Sequence, residues 1–244
     1  MIIDIATVMQ KELKELLFQR GQGRSGTIRM LIFIGIFGIL LPLQNGIDAL
    51  TSPFGMIFWL WIPYMLISGV TADTFAGERE RHTLETLLAS RLSDRAILFG
   101  KLGAVISYGW GMTLLTILVN LITVNLVFWQ GSPVFYPPLL LGIALVVTLE
   151  ISVFSAALGT IISLRSPTTR AAQQTMSILV FVLILPLFAL SMLPKNVLFQ
   201  VGELLAAIDI VELVAVVIFG LFIADVALIM VNLVRFQRAK LITD

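Results

Sequence analysis

The sequence predicts an all-α protein that crosses a membrane several times, and three observations carry that prediction. Of its 244 residues, 58% are hydrophobic and only 13% charged, about half the charged share of soluble domains. The apolar residues fall in long continuous runs, without the alternation of an outer-membrane barrel, so the spans are helices. The charges are segregated: nine of the 31 formally charged residues lie in the single stretch Phe75 to Lys101, with apolar runs on both sides. An island this charged cannot sit in hydrocarbon and must face solvent between two spans.

Taken in order, residues 1–27 read as a cytoplasmic amphipathic helix and linker. Ile5, Val8, Met9, Leu13, Leu16 and Leu17 share one face, while Lys11, Lys14, Glu15 and Arg20 lie off it, as expected for a helix on the membrane surface. Acids and a helical pattern ahead of the first apolar run argue against a cleaved signal peptide. The segment GQGRSGT, Gly21 to Thr27, has two glycines at phosphate-loop spacing. Thr27 stands where the lysine is required, and a helix rather than a strand precedes it, so it reads as a basic linker.

Residues 28–234 read as a six-span transmembrane domain. The spans run from Ile28 to about Leu50, Phe54 to about Thr74, Leu102 to Phe128, Leu139 to Leu164, Thr175 to Leu193, and Ile210 to Val234. Trp59, Trp61 and Tyr64 are expected to form an interfacial aromatic belt at the outer end of the second span. Residues 75–101 are the cytoplasmic island, 130–138 an outer loop and 165–174 a second inner loop. Residues 194–209, only moderately apolar and carrying Lys195, Glu203 and Asp209, read as an outer re-entrant segment. Residues 235–244 form a basic tail. With six spans, 15 of the 16 lysines and arginines fall on one face, leaving Lys195 alone outside. The positive-inside rule then puts both termini and the island in the cytoplasm.

Few residues can carry chemistry. There is no cysteine, and His82 is the only histidine, which excludes disulfides and leaves little for a metal site. No nucleophile–base constellation is present. The net charge of +1 says nothing about partners, and no nucleic-acid partner is expected. Three acids lie within or at the ends of spans: Asp73, Glu150 and Asp225. An acid at mid-bilayer costs about 2.5–3.5 kcal/mol on insertion scales, so Glu150 and Asp225 should face protein or a wet path. They read either as a translocation path or as hydrogen-bonded packing residues. Ser155, Gly159 and Ser163 recur every fourth residue, a stripe suited to close helix packing.

The island has internal order. Thr83 to Ala89 reads as a short helix with Leu84, Leu87 and Leu88 on one face and Glu85 and Thr86 on the other. Ser93-Asp94 reads as the N-cap of the next helix, which runs through Lys101 into the membrane. The pattern suits either a handle for a soluble partner or an ordinary polar loop.

Phe75, Glu78-Arg79-Glu80, Thr83-Leu84-Glu85, Leu87-Leu88, Ser93 and Gly100-Lys101 resemble the signature of type-2 ABC transporter permeases, the exporter-type membrane subunits. Two positions depart from it: His82 stands where glycine is common, and Arg91 where proline is. The resemblance implies that the island is a coupling helix docking on a separate ATP-binding subunit through Glu78, Arg79, Glu80, Thr83, Leu84, Glu85, Leu87 and Leu88. Lys11, Glu12 and Lys14 would be a second contact. It further implies a permease that is not itself an ATPase, with ATP and Mg bound by the partner. Two ATPase copies and a second permease chain, in a homodimer or heterodimer, would complete the complex in the inner membrane. Two alternatives are a non-transporting membrane anchor of an ABC-like complex and an ion-coupled carrier using Glu150 and Asp225.

Overall fold

The computed structural model describes residues 1–18, 24–83, 85, 89–191 and 210–236, and all regular structure among them is helical. In chain order the elements are α1 (Ile2–Phe18), α2 (Arg24–Phe33), a π-helical stretch (Ile34–Leu40), α3 (Leu41–Asn45), α4 (Asp48–Thr51), α5 (Pro53–Glu80), α6 (Asp94–Val127), α7 (Pro138–Arg165), α8 (Thr169–Ser191) and α9 (Ile210–Arg235). The backbone stays right-handed helical at Phe33, Leu40 and Leu41, so residues 24–45 form one near-continuous rod. Among the described residues, three helices are long and apolar enough to cross a membrane: Asp94–Val127, Pro138–Arg165 and Glu212–Arg235. The re-entrant reading of 194–209, the linker at 19–23 and the tail from 237 lie outside the described residues, as do Leu84, Thr86, Leu87 and Leu88.

The most extensive contact joins α5 to α7, and the small-residue stripe explains it. A Cβ on Gly159 would stand 2.7 Å from the Thr71 Cβ, so only glycine allows this approach. Four residues on, the fully buried Ser163 Oγ accepts from the Phe75 and Ala76 amides at 3.2 and 3.0 Å. It also donates to the Ala72 carbonyl at 3.0 Å. One hydroxyl thus satisfies itself on a neighbouring backbone where no water reaches, as buried polar groups must.

α1 packs on α6. Val8, 5% exposed, sits against Gly100, where an added Cβ would meet it at 2.6 Å. The apolar face expected to meet lipid is therefore largely taken by protein. Leu17 lies off it, 49% exposed, alongside exposed Met1, Ile2 and Ile3 at the other end.

A further expectation is extended and another corrected. The helix that carries the second span runs on past Thr74: α5 continues to Glu80, and Phe75 and Ala76 are fully buried. The charged stretch therefore begins as the last turns of a packed helix, with Phe75 and Ala76 against Ser163 of α7. The aromatics of α5 do not form an interfacial belt. Trp59 is 1% exposed and meets Tyr136 edge-to-face, with ring centroids 5.0 Å apart. Tyr64 is buried and donates its hydroxyl to the Met176 carbonyl at 2.8 Å. Aromatic rings with a polar handle suit a helix–helix contact as well as a lipid interface.

Candidate functional site

The end of α5 is built from three consecutive charged residues, Glu78, Arg79 and Glu80. Successive side chains leave a helix about 100° apart, so each can meet a different neighbour, and each does. Glu78 Oε1 accepts from Lys101 Nζ of α6 at 2.8 Å. The same ammonium donates to Glu12 Oε1 of α1 at 3.0 Å and to the Thr74 carbonyl at 3.2 Å. Its three N–H donors are thereby used, and it lies 5.4 Å from the Phe75 ring centroid. The Lys101 side chain is 2% exposed. An ammonium so buried is tolerable only with such partners.

Arg79 donates through Nη1 to the Ser166 carbonyl and through Nη2 to the Leu164 carbonyl, 2.9 Å away. These belong to the C-terminal end of α7, where carbonyls lack intrahelical partners and the helix dipole is negative. Glu80 does the converse at the N-terminus of α8. Its Oε1 accepts from the Thr169 amide at 3.1 Å and its Oε2 from the Thr169 hydroxyl at 2.9 Å, placing an anion at the positive end of that helix. The two charges of opposite sign therefore hold the short connection 166–168 by both its helix ends.

How α5 stops is equally specific. His82 has φ of 55°, the left-handed conformation that glycine adopts without strain. Around it the Thr83 amide donates to the Glu78 carbonyl at 2.9 Å and the His82 amide to the Arg79 carbonyl at 3.1 Å, the paired bonds of a Schellman motif. Thr83 Oγ1 also donates to Glu78 O at 3.3 Å. Arg81 turns back to Asp73, its Nη2 lying 2.6 and 2.7 Å from the two carboxylate oxygens, and that hydrogen-bonded anion holds its pKa above the ordinary arginine value. Beyond the turn, Glu85 is exposed and its carbonyl accepts from the Ala89 amide at 2.9 Å, a helical bond across the island. Ser93 caps α6, its Oγ accepting from the Ala96 amide at 3.2 Å, as its sequence position predicts.

Of the other predicted site residues, Glu12 belongs to the Lys101 cluster. Lys11 is exposed, 3.6 Å from Glu12 and 3.4 Å from Glu15. Burial disfavours its charge, but the two carboxylates outweigh that and hold its pKa up. Lys14 is exposed. Glu150 and Asp225 lie apart from the hub, together, on the packed pair α7 and α9. Lys101, Ser163, Ser166 and Thr169 were not singled out as site residues by sequence reasoning. The one available signal was the Gly100-Lys101 pair: glycine admits α1, and the lysine beside it reaches α1.

Long apolar helices gathered at one end by a charged hub are the make-up of a multi-pass membrane protein. Residues 41–208, more than half of the chain, match the family described as ABC-2 family transporter protein, and the chain belongs to that family. It is thus an ABC-2 type membrane subunit, and membership implies partnership with an ATP-binding subunit. No curated protein matches the sequence.

Proposed function

We propose that this chain is the permease subunit of an ATP-driven ABC exporter, coupled through residues 75–101 to a separate ATP-binding subunit. The observation that carries this reading is the hub. The segment expected to dock on the ATPase is rooted in Glu78, Arg79 and Glu80, which bind α6, α7 and α8 respectively, and Lys101 of α6 extends the first link to Glu12 of α1. A displacement of that segment would be passed to all of them, which is what coupling requires of a rigid connection.

In this reading the six spans place both termini in the cytoplasm, and two permease chains, alike or different, pair with two ATPase chains. ATP and Mg belong to the ATPase, whose closure favours one arrangement of the spans. Thr83, Leu84, Glu85, Leu87 and Leu88 form the docking face, with Lys11 and Lys14 of α1 beside it. The hub residues position that face rather than reach across it. The test is co-purification with the host's ATP-binding subunit in mild detergent. Leu87→Asp with Leu88→Asp should abolish association while the chain still inserts, and normal association in that variant would sink the assignment. An ion-coupled carrier is the second reading, favoured by the Glu150–Asp225 pair. It requires transport on an ion gradient without any ATPase.

A further inference from the structure

We propose that the seam between α7 and α9 around Glu150 and Asp225 is a binding site for an amphipathic organic cation. Its ammonium head would rest on the two carboxylates and its apolar body on the side chains around them.

The register of the seam places the two acids side by side. Asn232 of α9 donates to the Ala157 carbonyl of α7 at 2.9 Å. Seven residues earlier on each helix stand Asp225 and Glu150, and seven residues is nearly two turns, about 10.5 Å along the axis with little rotation. The helices therefore run parallel, and the carboxyl groups interact electrostatically. At the acid pair the unsatisfied groups are acceptors: Asp225 is 4% exposed, and Asp225 Oδ1 and Glu150 Oε2 are buried oxygens without a hydrogen-bond partner among the described residues. Further along α9, Asn232 Oδ1 and Arg235 Nη1 are likewise without one.

No described lysine or arginine forms an ion pair with either acid. Arg235, the cation on α9, is ten residues beyond Asp225, about 15 Å along the helix. Two buried carboxyl groups at membrane depth ionise together only beside a donor-bearing cation. No group of three or more metal-type ligands occurs among the described residues, so a coordinated metal ion is not the fit.

The surroundings select the rest of the ligand. Asp225 is buried, whereas Glu150 is partly exposed and opens the pair to the outer surface of the chain. Around that opening Val146, Leu149, Phe222 and Ile223 are all exposed and apolar. A charged head with an apolar body satisfies both parts, and it can enter sideways from the bilayer. A role for this site in transport rests on the permease reading; its ligand chemistry does not.

The test uses the full chain in nanodiscs of zwitterionic lipid, titrated without any ATPase, so that failure here and failure of the coupling experiment are separate results. The probe is a dansyl-labelled decylamine with a free terminal ammonium, and the control is the same dye ending in a hydroxyl. Saturable binding is expected for the ammonium probe alone. Asp225→Asn should weaken it by about thirtyfold or more, as for removal of one partner of a buried charge pair, and Glu150→Gln by a smaller factor. Glu150→Lys, which supplies an internal ammonium to Asp225, should abolish binding with the melting profile retained; if Asp225→Asn fails to fold, this variant decides. Equal binding of the two probes overturns the proposal, as does ammonium binding that survives Glu150→Lys.

Discussion

The hub at the end of α5 and the seam between α7 and α9 both bury charge, and they do so in opposite ways. At the hub, Lys101 is flanked by Glu12 and Glu78, and Arg79 and Glu80 each cap a helix end of opposite sign. In the seam, two acids meet with acceptor oxygens unsatisfied and no described cation paired to them. Glu78 Oε2 is the hub's one leftover acceptor among the described residues. Every charge there nonetheless has a partner of opposite sign or a helix end, and such a network holds one geometry. Acids without a counter-ion can be completed by a ligand. The first suits a rigid connection and the second a binding site.

Substitution should separate them, and the largest effect is expected at Lys101. Lys101→Met leaves Glu12 and Glu78, 12% and 14% exposed, facing each other without the ammonium. Breaking a buried pair in this way costs about 3–5 kcal/mol, read as a large drop in melting temperature in detergent. Adding Glu12→Gln and Glu78→Gln should recover much of that loss, because the uncompensated charges go with it. In the seam the outcome should differ: Asp225→Asn keeps the shape and removes a charge without a counter-ion, so stability should change by less than about 1 kcal/mol or rise. A loss at Asp225 equal to that at Lys101 would erase the distinction between the regions.

Arg79→Ala should fall between these. It frees the Ser166 and Leu164 carbonyls and removes two charge-assisted bonds, with a cost of about 2 kcal/mol. Arg79→Lys should restore only part of it, because an ammonium cannot present two donors in a planar fork. ATPase stimulation in the assembled complex should fall further than stability does, if the arginine transmits motion as well as holding α7. Equal losses in both would reduce it to a structural cap.

Much of this was legible in the sequence, for physical reasons that differ by element. Long apolar runs and the Ser93 cap are local signals, so α6, α7 and α9 lie close to their expected bounds. Ser155, Gly159 and Ser163 announced a close contact because only small residues permit one. The partners of Glu78, Arg79 and Glu80 were not legible, since they depend on which helix ends meet in space. Trp59 and Tyr64 misled because an aromatic near the end of an apolar run has the same composition whether it faces lipid or Tyr136 and Met176. Glu150 and Asp225 were visible singly, but their adjacency depends on a register that only the Asn232–Ala157 bond reveals.

The smallest expected effect sharpens the hub further. His82 occupies a left-handed position where the resembling signature carries glycine, and a non-glycine residue there stores roughly 1 kcal/mol of backbone strain. His82→Gly relieves that strain but loosens the unfolded chain, so the net gain should be a few tenths of a kcal/mol up to about 1 kcal/mol. The Schellman bonds from Thr83 and His82 stay in place, and the paired charges behind them are untouched. His82→Val is the opposing probe, because a β-branched side chain resists positive φ. It should lower stability and disturb the exit of the chain toward Glu85 while leaving probe binding in the α7–α9 seam unchanged. If His82→Val weakened that binding as well, the hub and the seam would be one coupled system rather than two regions with separate tasks.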